Sequence, residues 1–357
     1  GTVCYVSRKF ETEFGDMKID ILCSDGSPLR VTLATLMGTD PAQPGVGGSE
    51  YALLTMCEAW HKAGHQVCLY NNPDFAGSPF TQKRVDEFNP SEDRDVLIIF
   101  RSPNMRAVNA KGLKVWWSCD SHTTGSYSAF AAVVNKIVTI SPHHSEFFKL
   151  TYGIMNTIDI DLPVRCWEYN QPVEKVPYRC IFTSVPDRGL AEMMLCWPHI
   201  VRQVPEATLM VTSDYRLWGC GAARNEHHLH PFIGNTSARM LGAIKRPQLV
   251  EEELKADLFV YPCTFDEQFC ISASEAQIAG AYPITSNFGA LPTTNMGTVI
   301  DGDPRNSEWR EWFINRVVGA LLDRHGLKLK QQDIQKKAVN RFGIERILEE
   351  WNKKIFA

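Results

Sequence analysis

Glu267 and Glu275 stand eight positions apart in the stretch from Tyr261 to Gly280, YPCTFDEQFCISASEAQIAG. The residue order predicts an apolar strand closing at Pro262, a loop carrying Glu267, and a helix from about Ser272 to Gly280 with Glu275 near its start. A helix start presents N–H groups without intrahelical acceptors and a partial positive charge, both suited to a phosphate. A carboxylate there cannot bind phosphate, so it suits neutral hydroxyls beside one. A ligand joining a diphosphate to a ribose would satisfy both. Two glutamates at this spacing also occur on ordinary solvated helices, so neighbouring motifs must decide.

Three further segments can do chemistry. Pro44-Gly45-Val46-Gly47-Gly48-Ser49-Glu50 sits between a strand and a helix, where glycines let the main chain approach a ligand and Gly48 or Ser49 could cap the helix. The spacing is not GxGxxG, which argues against a nicotinamide dinucleotide. Ser184-Val185-Pro186-Asp187-Arg188-Gly189-Leu190 also joins a strand to a helix; Arg188 could hold two phosphate oxygens at once or pair with Asp187 on the surface. Asn287-Phe288-Gly289-Ala290-Leu291 forms a turn after the next strand. Other features weigh less. Asp159-Ile160-Asp161 is a short acidic triplet that chance supplies readily, and His227, His228 and His230 lack partners at zinc-ligand spacing. His143 and His144 fit a helix start better than an acceptor contact, and for at least one of Trp116 and Trp117 core packing is the default, stacking on a sugar being the alternative.

The elements that must position these residues alternate as strand and helix, twice. Strands are expected at Lys18 to Cys23, His65 to Tyr70, Val96 to Phe100, Lys114 to Trp117 and Lys136 to Ile140, with a helix running up to Gly64. A second series has strands at Arg179 to Thr183, Thr208 to Thr212, Leu258 to Tyr261 and Tyr282 to Thr285, with helices at Leu190 to Val204, Leu249 to Lys255 and Ser272 to Ala279. Continuous apolar strands are those of parallel sheets covered on both faces. The expected fold class is therefore α/β, with two Rossmann-like doubly wound domains facing across a cleft. The expected domains are 17–160, 161–335, and a C-terminal helix 336–357 packing back toward the first domain. The prolines between Ile158 and Tyr178 mark the connection, and Asn225 to Arg239 reads as a polar loop. Residues 1–16 read as an extension ahead of Met17.

The 357 residues are 44% hydrophobic and 22% charged, with a net charge of −4, as in an ordinary soluble globular protein. No basic tract offers a phosphate-backbone surface, so nucleic acid is disfavoured as a partner without being excluded. No apolar run reaches membrane-spanning length. Eleven cysteines, odd in number and never spaced as CxxC, indicate neither a disulfide framework nor a zinc knuckle. A reducing cytoplasm is the expected location, with peripheral attachment to a membrane left open.

Three blocks resemble the retaining glycosyltransferases of the group-1 (family 4) type. PGVGGSEYALLTMCEAWHKAGHQV is similar to their early Gly-Gly loop and helix, SVPDRGL with CWPHIVRQVPEATLMV to the opening of their second domain, and FDEQFCISASEAQIAGAYPITSNFGAL to their Glu-x7-Glu motif. The resemblance implies the GT-B architecture and transfer of a sugar from a nucleotide donor, of UDP or GDP type, with retention and without a bound metal or other cofactor. It assigns Gly47 and Gly48 to the donor diphosphate, Ser184 and Arg188 to the same end of the donor, and Glu267 to the sugar hydroxyls. The main chain of Phe269, Cys270 and Ile271 lies beside Glu267, and Glu275 takes the ribose. Glu267, Arg188 and Asp120 are the expected catalytic residues, and Cys119 and His122 the expected acceptor contacts.

Departures from the family pattern are visible. Arg188 replaces a usual lysine. Thr183 stands where a second cation is common, so that charge is absent or supplied by Lys245 or Arg246. Cys270 replaces a glycine, and Cys119 a frequent histidine. Alternatives are an oxidoreductase, a non-catalytic sugar-nucleotide-binding protein, and an enzyme glycosylating a modified nucleic-acid base. The acceptor is unassigned.

Overall fold

A computed structural model describes residues 15–40, 43–212, 214–218, 220 and 222–357; most of the expected leader, residues 1–14, lies outside them. The chain divides into two compact units. One runs to Leu36 and takes in 46–164 and 342–357; the other takes in 165–341 and the segment from Met37 to Gly45.

The first unit is built on seven parallel strands: β1 (Lys18–Cys23), β2 (Gln66–Tyr70), β3 (Thr81–Lys83), β4 (Val96–Phe100), β5 (Leu113–Trp117), β6 (Lys136–Thr139) and β7 (Thr157–Asp159), in the order β3-β2-β1-β4-β5-β6-β7. Every side chain of β4, VLIIF, is buried, as a central strand covered on both faces requires. The helix Gly48–Lys62 follows β1, and its Trp60 meets Trp117 of β5 and Trp351 of the helix Ile344–Trp351. Such edge-to-face ring contacts add to the hydrophobic burial of the rings. Trp116 and Trp117 are both core residues.

The second unit has six parallel strands: β8 (Arg179–Phe182), β9 (Thr208–Val211), β10 (Ala238–Met240), β11 (Leu258–Tyr261), β12 (Tyr282–Ser286) and β13 (Thr298–Ile300), ordered β10-β9-β8-β11-β12-β13. Its core joins β8, β9 and β11 to the helices Leu190–Gln203 and Ser307–Leu322 through Phe182, Trp197, Phe259 and Phe313. The architecture is thus two doubly wound α/β domains, the expected fold class.

Some local expectations change. The three-residue edge strands β3, β7, β10 and β13 are too short to show a period. The segment expected as a loop from Asn225 to Arg239 contains the helix Glu226–Leu229 and enters β10. His143 and His144 do begin a helix, Pro142–Tyr152, capped by the Ser141 hydroxyl, which accepts from the His144 N–H.

Candidate functional site

In the second unit the strand order reverses between β8 and β11, since β9 and β10 continue on one side and β12 and β13 on the other. In open parallel sheets ligands collect outside the carboxyl ends of the strands at such a reversal. The loops leaving β8 and β11 carry Ser184, Arg188 and Glu267. Gly189 lets these loops meet: its φ is 109°, and a Cβ there would overlap the carbonyl of Pro262. Gly289, at φ 57°, packs on Glu267 so closely that a Cβ would overlap that residue's backbone, and the Ala290 N–H donates to the Glu267 carbonyl at 2.7 Å. The third motif from the sequence therefore serves as the seat of Glu267.

The side chains form one cluster in which Tyr261 and Glu267 are buried and Ser184 and Arg188 half-buried. The Tyr261 hydroxyl donates to Glu267 Oε1 at 2.6 Å and lies 3.2 Å from Ser184 Oγ. Glu267 Oε2 is 2.9 Å from Arg188 Nη1. The guanidinium stacks on Phe265, with its carbon 3.7 Å from the ring centroid, a contact that fixes the guanidinium plane. Burial opposes the charge on Arg188, but Glu267 and its neighbours outweigh it and raise the pKa. Arg188 thus pairs with Glu267, and Asp187 is not the partner. Phe265 is 43% exposed and is the most open member of the group.

Beyond the loop, Cys270 caps the helix Ile271–Ile278 with a φ of 75°. That left-handed conformation suits glycine and is rarely adopted by a residue with a side chain. Phe269 and Cys270 are buried beside the first turn. Glu275 is the fifth residue of the helix, one turn in from its start. It is buried and 2.5 Å from Arg246 Nη1. Burial raises its pKa, with Arg246 acting the other way. Arg246 also reaches Glu168 at 2.7 Å. Held by two carboxylates, Arg246 fits poorly as the substitute cation for a diphosphate.

The first unit has its own polar group at the reversal between β1 and β4. Gly47 is the extended N-cap of the helix Gly48–Lys62 and contributes no side-chain cap, so Gly48 is helical and Ser49 is no cap. Glu50 in the first turn is buried and accepts from the Ser27 hydroxyl at 2.5 Å; burial raises its pKa. Arg101, just past β4 at φ 65°, donates to Asp120 at 2.5 Å and lies 3.4 Å from Ser27 Oγ. His144 is fully buried. Its Nδ1 accepts from the Ile140 N–H at 3.3 Å, so the proton sits on Nε2, which donates to the Asp120 carbonyl at 3.0 Å. Burial lowers the His144 pKa to about 4. Cys119 is buried with its thiol kept neutral by desolvation, and His122 stacks on Tyr127 at 5.0 Å.

The structure therefore gathers Ser184, Arg188 and Glu267 into one hydrogen-bonded cluster, with Phe269, Cys270 and Ile271 on the same loop and helix start. It ties Glu275 into a neighbouring ion-pair network. Gly47, Gly48, Cys119, Asp120 and His122 belong to the first unit. Tyr261, Phe265, Arg101 and the pairing of Arg246 have no signal in residue spacing; Tyr261 and Phe265 lie within the Tyr261 to Gly280 stretch, where Tyr261 reads as the end of an apolar strand.

No protein-family model matches the sequence. No curated protein matches it either. Solved structures do. Sucrose-phosphate synthase from Thermosynechococcus elongatus is 14% identical with a TM-score of 0.69, the match covering 95% of this chain and 99% of that one. HepE of Anabaena in complex with UDP-glucose is 14% identical, with a TM-score of 0.67 over 95% and 99% of the two chains. The catalytic domain of starch synthase IV from Arabidopsis thaliana, bound to ADP and acarbose, is 10% identical with a TM-score of 0.65 over 95% and 98%. At these identities the likeness is one of fold: the two parallel-sheet α/β domains match those of GT-B glycosyltransferase structures.

Proposed function

We propose that this chain is a glycosyltransferase that moves a sugar from a nucleoside-diphosphate sugar to an acceptor, with retention of configuration and without a metal ion. The observation that carries the reading is the cluster of Ser184, Tyr261, Glu267 and Arg188 at the β8/β11 reversal, beside the start of the helix Ile271–Ile278. It sets a cation and a helix start next to a held carboxylate, which are the groups a diphosphate joined to a sugar calls for. The UDP-glucose and ADP complexes of the structural neighbours support a ligand of this class.

In the reaction the bond between the anomeric carbon and the phosphate oxygen breaks, and its electron pair leaves with the diphosphate. Arg188 and the first-turn N–H groups stabilise that charge, a contribution of several kcal/mol. The acceptor hydroxyl attacks on the face the diphosphate leaves, and its proton passes to the departing phosphate oxygen. Glu267 accepts hydrogen bonds from the donor sugar, and Glu275 from the ribose. For the first unit the resemblance assigns Gly47 and Gly48 to donor contacts, Asp120 to the chemistry, and Cys119 and His122 to the acceptor. A donor of UDP or GDP type and a cytoplasmic location complete the proposal; among the described residues no helix is long and apolar enough to cross a membrane.

A second reading is a protein that binds a nucleotide sugar without transferring it. The buried, neutral Cys119 at the usual histidine position favours it. Hydrolysis of the donor without acceptor separates the two. The binding proposal itself is tested by thermal shift against UDP, GDP, ADP and their sugar conjugates. A ligand present at about 100 times its Kd adds roughly 2.7 kcal/mol of stability; no rise in melting temperature with any member would reject the proposal.

A further inference from the structure

Taking Glu275 as the ribose-binding carboxylate, we infer that Arg246 is the positioning residue that aims it, and that Glu168 sets where Arg246 stands. Arg246 is the first residue of the helix Arg246–Lys255, where a cation opposes the helix dipole. The carboxylates of Glu168 and Glu275 compensate. Its Nε lies 2.7 Å from Glu168 Oε2, its Nη1 2.5 Å from Glu275 Oε1, and its Nη2 3.4 Å from the Tyr169 hydroxyl. A guanidinium is a rigid planar fork, so fixing one edge on Glu168 fixes the direction of the other. Glu168 is in turn held by Arg165 at 2.6 Å.

The charge balance points the same way. Three carboxylates, Glu168, Glu253 and Glu275, share two guanidiniums, Arg165 and Arg246. Glu253 is fully buried and receives the Tyr169 hydroxyl at 2.6 Å. Burial and the nearby Glu275 push its pKa up, which favours the neutral form of Glu253. Arg246 works against the burial that raises the Glu275 pKa and so favours its ionised form, and an ionised carboxylate can accept both hydroxyls of a ribose. Every partner lies within the second unit.

The test uses the full chain and the nucleoside-diphosphate sugar that gives the largest thermal shift in the panel above, together with its 2′-deoxyribose counterpart. Calorimetry gives the Kd of each for the wild type, Glu275→Ala, Arg246→Lys, Arg246→Met and Glu168→Gln. The wild type should prefer the ribose form by about tenfold to a hundredfold, as for one hydrogen bond to a charged acceptor. Glu275→Ala should abolish the preference. Arg246→Met should abolish it too and move the acid limb of donor binding to higher pH, because Glu275 then loses the cation that favours its ionised form. Arg246→Lys should keep the acid limb near its place while losing most of the preference, and Glu168→Gln should weaken the preference several-fold.

If Glu275→Ala abolishes the preference while folded Arg246 variants retain it, the positioning role is overturned and the ribose assignment stands. If Glu275→Ala leaves the preference intact, the ribose assignment fails first and takes the inference with it. Should Arg246→Met not fold, Arg246→Lys decides alone: a preference and acid limb both equal to the wild type's refute the inference.

Discussion

Replacing Tyr261 by Phe removes one oxygen and leaves the ring in place. The hydroxyl is fully buried and donates to Glu267 Oε1 at 2.6 Å. A hydrogen bond to a charged partner contributes about 1.5–3 kcal/mol. Glu267 is itself 7% exposed, so water replaces the lost donor poorly and the upper half of that range is expected. The β11 loop should then open more often, and backbone amides in 263–270 and 287–291 should exchange roughly 45- to 150-fold faster, the kinetic equivalent of that energy. The Ala290 amide, bonded to the Glu267 carbonyl, is the most direct reporter. Hydrogen exchange read by mass spectrometry supplies the measurement. A double-mutant cycle with Glu267→Gln should return a coupling of the same sign, since the neutral amide is the weaker acceptor. Exchange within about twofold of the wild type, with no coupling, would refute the claim that this hydroxyl holds Glu267.

Two other outcomes follow from the geometry. Gly289→Ala should displace Glu267 and weaken donor binding by at least tenfold, because the new Cβ overlaps the Glu267 backbone and φ of 57° strains any side chain; calorimetry with an unchanged Kd would contradict this. His144, neutral in the fold down to about pH 4, makes the first unit lose stability in acid. Below pH 6.5 the unfolded chain takes up a proton that the folded chain refuses, so the loss grows to about 3 kcal/mol near pH 4 and then levels off. Urea titrations at pH 7 and 4.5 should show most of that loss, roughly 2.5 kcal/mol, in the wild type beyond any loss in His144→Gln; equal losses in the two proteins would dismiss it.

Much of this was legible in the residue order, for a physical reason. Central strands such as VLIIF and LFVY are buried on both faces, so their apolar runs announce a parallel sheet. Arg188 and Glu267 follow such strands directly, which places them at a strand-order reversal once the order is known. Other features depend on contacts that leave no spacing. Arg246 and Glu168 are 78 residues apart, and Arg101 and Asp120 are 19 apart, joined only by the fold. Tyr261 hides as the last member of an apolar run, its hydroxyl indistinguishable by pattern from core packing. The edge strand β3, TQK, is polar and three residues long, too short for a period. Cys270 looked like a departure at a glycine site; its φ of 75° shows the backbone keeps the glycine conformation despite the side chain.

A diphosphate-linked sugar should be gripped by the second unit through Arg188. Calorimetric titration of the wild type, Arg188→Lys and Arg188→Met with UDP, GDP and ADP sugars tests it most directly. One donor should bind the wild type, less tightly Arg188→Lys, and at least tenfold more weakly Arg188→Met, the loss expected for charge-assisted hydrogen bonds to phosphate. Equal affinity in all three proteins, or heat from none of the donors with the wild type, would contradict it.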